Sequence, residues 1–323
     1  MRAGFRMGRG FCAAWVVAVA AGCATPERSG RSTDPELSRL ASVARQEFDR
    51  GQAEQAARLY LRALTMARAA DDAFEIGNNA YNLAACLMSA GRHDDAAALL
   101  RDARAEAARA NRDPADVDLL EARNARLAGR AEEAQAIVDR LLASPSSGRV
   151  RREAGLLNAH LACDRGDVQA AAAELKASWS GDLLLASDAA GLSARIARGT
   201  NDAARAAAEY DRQADLYRRA RRYRDMAGAL GSAARAYGDA GAPARAADRF
   251  YRAARSLFGQ GDEVGALRMI EAALPAAEQA DDAVLAGRIA ALFREIERMV
   301  RDRPSAKEEP PPRGRPRPVT EAR

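Results

Sequence analysis

The side chains able to do chemistry in this 323-residue chain are few and scattered. There are two histidines, His93 after Gly91 and His160 in a helical stretch, and four cysteines at 12, 23, 86 and 163. No HExxH or Cys-X-X-Cys spacing joins them, so they offer no metal-ligand set. No Gly-rich phosphate loop or nucleophile elbow follows a strand, and no convincing strand is present. The acidic pairs Asp71-Asp72, Asp94-Asp95 and Asp281-Asp282 precede helical stretches, where carboxylates cap amides and complement the helix dipole. What does recur is arginine. Arg45, Arg123, Arg195 and Arg235 each follow a small alanine, and Arg126 and Arg198 stand three residues further on in two of these stretches. A guanidinium fork holds carboxylates two bonds at a time, so a row of them is chemistry for binding rather than for turnover. The sequence thus predicts no enzyme, no cofactor, no metal and no small-molecule substrate.

The elements that would carry this row are helices. Hydrophobic residues make up 48% and aromatics 5%. Alanine, leucine, arginine and glutamate dominate, and all lose little freedom in a helix. From about residue 36 one phrase returns: Ala44…Gly51…Ala56…Tyr60…Ala63, then Ala84…Gly91…Ala96…Leu100…Ala103, Ala122…Gly129…Ala134…Val138…Leu141, Ala159…Gly166…Ala171…Leu175 and Ala234…Gly241…Ala246…Phe250…Ala253. A weaker copy runs Ala194…Asn201…Ala206…Tyr210. The last pair, about 263–279 and 282–300, carries Pro275 inside its first helix, which predicts a kink or a misplaced boundary.

A small residue, a turn glycine at +7, alanine at +12, a large residue at +16 and alanine at +19 resemble the tetratricopeptide repeat, here with periods of 35 to 40 residues. The resemblance covers roughly residues 36–300. It implies an all-α, right-handed superhelical solenoid of about six to seven helical hairpins that binds other proteins. In that family the residue after the small alanine, and one a turn later, face a concave groove. The implied groove residues are Arg45, Arg123, Arg126, Arg195, Arg198 and Arg235, with Asn82 the one suggestive amide. The partner so implied is a protein or peptide, and the arginine row suits an acidic one. The family's peptide-carboxylate clamp is absent, since no lysine–asparagine pair joins Asn82.

The ends of the chain read differently. Arg2, Arg6 and Arg9 precede a twelve-residue apolar run, Phe11 to Gly22. This is the plan of a secretory signal over 1–22, since twelve residues give about 18 Å of helix against a bilayer core of about 30 Å. Ala20-Ala21-Gly22-Cys23 resembles the lipobox of bacterial lipoproteins. That resemblance implies a lipidated Cys23, a tether over 23–35 and an outer-membrane protein facing the periplasm, with soluble periplasmic release as the alternative. Residues 301–323 form a Pro/Arg-rich tail that cannot build a core. These two ends account for more than the whole formal charge of +5. The body between them is close to neutral, which argues against a nucleic-acid partner. The expected role is a lipid-anchored scaffold for an envelope complex. The alternatives are an accessory factor for a peptidoglycan enzyme, or a cytoplasmic regulator if the signal is false.

Overall fold

The computed structural model describes residues 34–144, 147–175 and 182–301. The signal segment, Cys23, nearly all of the tether and the tail beyond Arg301 lie outside the described residues. Within them every regular element is an α-helix. The helices fall into two compact units, through Asn201 and from Asp202. The first unit holds α1 (Pro35–Asp49), α2 (Ala53–Ala69), α3 (Ala73–Ser89), α4 (His93–Arg109), α5 (Ala115–Leu127), α6 (Ala131–Ala143), α7 (Gly148–Asp164), α8 (Val168–Glu174) and α9 (Leu183–Gly199). The second holds α10 (Ala203–Arg219), α11 (Tyr223–Asp239), α12 (Pro243–Gly259), α13 (Glu263–Gln279) and α14 (Ala283–Arg301).

The repeat spacing acts through the core. Ala44, Ala84, Ala122, Ala159, Ala194 and Ala234 are all 0% exposed. Their partners twelve residues on, Ala56, Ala96, Ala134, Ala171, Ala206 and Ala246, are buried too. Inside each unit, where α1 packs on α2, α3 on α4, α5 on α6, α7 on α8 and α11 on α12, these small side chains let the paired helices approach closely. The large residues Tyr60, Leu100, Val138, Tyr210 and Phe250 then fill the space toward the next hairpin. Cys86 is a buried free thiol whose burial pushes it up to about 12, so it acts as a small hydrophobe. Cys163 is also free but only partly buried.

The turns share one hydrogen-bond plan. After α1, the Gly51 amide donates to Phe48 (2.9 Å) and the Gln52 amide to Glu47 (2.9 Å), which satisfies the last carbonyls of the helix. The same pair of bonds closes the turn after α2, with Asp71 in the left-handed conformation at φ 50°. Asn201 (φ 58°) explains why the fifth copy lacks its glycine, since asparagine tolerates this conformation. The acidic pairs divide their labour. Asp72 and Asp282 cap helix starts, while Asp71 and Asp281 occupy left-handed turns. Asp94 and Asp95 cap nothing and instead pair with Arg130 and Arg92, because the residue before α4 is Arg92.

Pro275 ends nothing: α13 runs through it from Glu263 to Gln279. The proline lies on the exposed side together with Glu271, whose freed carbonyl can turn to water. In the second unit Asp211 of α10 ties three helices. Arg249 of α12 donates to it from Nε and Nη2 (2.9 and 2.8 Å), and the Tyr237 hydroxyl of α11 donates to it at 2.8 Å.

Two glycines separate backbone conformation from packing. Gly91 (φ +75°) and Gly155, inside α7, would both give an added Cβ open space. Gly91→Ala should therefore cost about 1 kcal/mol, whereas Gly155→Ala should add roughly 0.5–1 kcal/mol of helix propensity. Urea unfolding followed by circular dichroism reads both. Equal signs for the two changes would refute this account of the turns.

Candidate functional site

In the first unit α3 packs on α5, α5 on α7 and α7 on α9. These are the first helices of successive hairpins, so their facing sides form one surface. A polar hollow opens on it, lined by Arg123, Arg126, Leu127, Glu153, Leu157, His160 and Asp188. The periodic alanines bring these residues together: Arg123 and His160 each follow one of them, as Arg195 does on α9.

Each predicted arginine near the hollow arrives with an internal carboxylate. Arg123 donates to Glu153 at 2.9 Å. Arg126 and Arg195, from α5 and α9, both donate to Asp164 of α7 at 2.6 Å. Arg149 bridges Glu153 (2.6 Å) and Asp116. His160, 6% exposed, bonds the Asp188 carboxylate through Nε2 at 2.9 Å, and its Nδ1 lies 3.3 Å from the Arg195 guanidinium. The ring is thus held at both nitrogens, between a carboxylate and a guanidinium that both belong to α9.

The field of this cluster is visible in its acids. Burial would raise Asp188, but His160 and the guanidiniums of Arg123 and Arg126 outweigh it and hold the carboxyl down at about 2. Asp164 is likewise lowered against its burial by Arg126 and Arg195. Tyr81 of α3 borders the same charges; its burial pushes the phenol up to about 12 against the pull of Arg123.

The other predicted positions stand apart from this network. Arg45 is exposed on α1. Asn82 spends its amide on the Asn78 carbonyl (2.9 Å) within α3. Arg198 is exposed in the last turn of α9. Arg235 belongs to the second unit, where it donates to the Ser232 hydroxyl (3.1 Å). The histidines separate as well: His93 bonds Asn124 at the start of α4, while His160 joins the charged face. No group of three or more His, Cys, Asp or Glu fit to hold a metal occurs among the described residues.

Reading the repeat only at its groove positions missed the carboxylates. Their signal is a second register. Asp116, Glu153 and Asp188 each lie seven residues before Arg123, His160 and Arg195, two turns back on the same helix side. Each of these acids except Asp188 meets an arginine, and each meets a basic group of an adjoining first helix.

Acid should unmake this cluster. Asp188 titrates below the ordinary carboxylate value of about 4, so its contribution is complete above pH 4 and disappears as pH falls through about 2. With the side chain 34% exposed and partly screened, Asp188→Asn should cost roughly 1 kcal/mol near neutral pH. It should also flatten the loss of stability between pH 4 and 2. Urea midpoints across that range measure it, and parallel acid limbs for the two proteins would count against the assignment.

By sequence, no protein-family profile and no curated protein matches the chain. Solved structures do match. A Signal Transduction ATPase with Numerous Domains from Pyrococcus horikoshii, bearing a tetratricopeptide repeat sensor, aligns with a TM-score of 0.53 at 12% identity over 76% of this chain. The chain spans 41% of that protein's length. A tetratricopeptide repeat protein from Parabacteroides merdae aligns over 81% of this chain and 100% of its own, at 13% identity and a TM-score of 0.39. The TPR2AB domain of yeast Sti1, in its pHSP90 complex, aligns over 81% and 98%, at 15% identity and a TM-score of 0.33. At these identities the likeness is one of fold, and the fold is that of tetratricopeptide-like helical hairpins.

Proposed function

We propose that this chain is a scaffold that binds a protein segment along the first-helix face of α3, α5, α7 and α9 and works by holding it rather than by transforming it. The observation that carries the reading is the ladder of charged groups on that face, in which Arg123, His160 and Arg195 recur once per hairpin and are held in place by bonds to neighbouring helices. Side chains already fixed by such bonds lose little freedom on binding, so partner contacts are not spent on ordering them. Asp164 and Asp188 remain about one-third exposed and Arg195 slightly more, which leaves polar edges for a partner.

The acidic character of the partner belongs to the same proposal, with a refinement. A partner carboxylate does not meet a bare cationic row; it competes with Asp164 for Arg126 and Arg195, and it meets Arg198 at the end of α9. Specificity then comes from matching a mixed-charge surface more than from net attraction.

The cellular setting is proposed from the N-terminal residues: lipidation at Cys23, a tether over 23–35, and service as an adaptor of an envelope complex at the outer membrane. The lipobox resemblance supports it. Recruitment of a peptidoglycan enzyme is one form such service could take. No helix among the described residues is long and apolar enough to cross a membrane.

Arg195→Glu with Arg198→Glu reverses one part-buried and one exposed guanidinium of this face, neither of them in the apolar core. Crosslinking in intact cells followed by affinity purification should recover native partners with the parent and lose them, by about tenfold or more, with the variant. Undiminished recovery by a folded variant would remove this face from the proposal. Palmitate labelling of the parent, absent in Cys23→Ser, tests the anchor separately.

A further inference from the structure

In the second unit successive helices pack as neighbours, α10 on α11, α11 on α12, α12 on α13 and α13 on α14. Turns at 220–222 and 260–262 join α10 to α11 and α12 to α13. The ends of α10, α12 and α14 and the starts of α11 and α13 therefore lie along one edge. Arg224 Nη2, 3.5 Å from Asp262 Oδ2, ties the two turns directly.

This edge differs from the opposite one in charge and in polarity. Residues 218–224 hold five arginines in seven positions, and the last turn of α14 adds Arg298 and Arg301. Three of the five pair with acids, Arg218 with Asp215, Arg222 with Asp225 and Arg224 with Asp262, and Glu263 is the remaining acid of these turns. At the opposite edge the balance reverses, with Asp202, Asp239, Glu278, Asp281 and Asp282 against Arg205 and Arg245. A near-neutral unit is thus polarised from edge to edge. The basic edge also carries Tyr223, Val264, Met299 and Val300, four of the seven large hydrophobics that stand exposed among the described residues.

Arg221 makes this edge more than a run of solvated charge. It sits at φ 58°, in the turn position that glycine, asparagine or aspartate fills wherever else a described turn adopts the left-handed conformation. Its side chain is exposed, and neither it nor Arg219 makes an ion pair among the described residues. The turn's own hydrogen bonds, from the Arg221 amide to Arg218 (3.1 Å) and from the Arg222 amide to Tyr217 (2.9 Å), hold that backbone, so the exposed Arg219 and Arg221 side chains stand out from the edge with no carboxylate partner among the described residues.

We propose that this edge docks on an anionic lipid surface. The arginines meet headgroup phosphates, and Tyr223, Val264, Met299 and Val300 enter the interfacial layer between them. Guanidiniums on apolar stems flanked by an aromatic and aliphatic tips are the chemistry of that layer. The edge is a row of helix ends and turns, suited to a broad surface. The inference does not rest on lipidation at Cys23 or on the partner-binding face.

Full-length protein carrying Cys23→Ser, and so unlipidated, is sedimented with vesicles of phosphatidylcholine alone and with vesicles containing phosphatidylglycerol. Binding is expected only to the anionic vesicles, and half-molar salt should weaken it. Arg219→Gln with Arg221→Asn keeps a turn-compatible residue at 221 and removes two charges. It should lower the partition coefficient by about twentyfold with no loss of thermal stability. Arg205→Glu at the opposite edge should leave the partition coefficient unchanged. Equal binding to both vesicle types, or an unchanged coefficient for the double variant, overturns the proposal. Retention on soluble polyglutamate without binding to anionic vesicles also overturns it, and assigns the edge to an acidic protein.

Discussion

The close contact of alanine with alanine between paired helices is the constraint on which everything else depends. Six alanines at intervals of 35 to 40 residues are wholly excluded from solvent, and so, within 2%, are the alanines twelve positions later. A methyl sets the separation of the two backbones, and a longer side chain there would force the helices apart or itself off its rotamer. Because the separation repeats, the side of each first helix turned from its hairpin partner repeats as well. One residue per hairpin then projects in the same way, which converts a period in sequence into a row of groups in space.

On the first unit's row that regularity produces a balanced charged lattice. Arg123, Arg126, Arg149 and Arg195 are matched by Asp116, Glu153, Asp164 and Asp188, with His160 between α7 and α9. Partly buried charges are tolerated when each has an opposite neighbour and the remaining hydrogen bonds are made. The depressed Asp188 carboxyl reports how strongly that compensation acts. Such a lattice fixes long side chains that would otherwise sample many rotamers. It is a prepared surface, whose selectivity lies in the order of its charges.

Turn chemistry was legible where glycine wrote it and less so elsewhere. Gly51, Gly91, Gly129, Gly166 and Gly241 mark left-handed turns at the expected +7 spacing. Asp71, Asn111, Arg221 and Asp281 adopt the same conformation without that signature, because the hydrogen bonds of the turn hold the backbone there whatever the residue. Pro275 misled in the same way. Its ring removes a bond on the exposed side of α13, where the freed carbonyl faces solvent, and the packed face with Ile270, Ala273 and Ala277 keeps the helix whole.

The sequence by itself determined the helical class, the hairpin period and the identity of the core alanines, because each is a local matter of propensity and spacing. It also marked Arg123, Arg126 and Arg195 as members of a repeating row. Only the tertiary structure decided that these arginines are already partnered, since Glu153 and Asp164 lie 30 to 38 residues away and reach them across neighbouring helices. The gathering of arginines and exposed apolar residues at one edge of the second unit has the same origin. Residues 218–224, 264 and 298–301 are distant along the chain, and the antiparallel succession of helices makes their ends neighbours. Coulombic and apolar contacts depend on distance through space, and a period along the chain does not contain that distance until the hairpins stack.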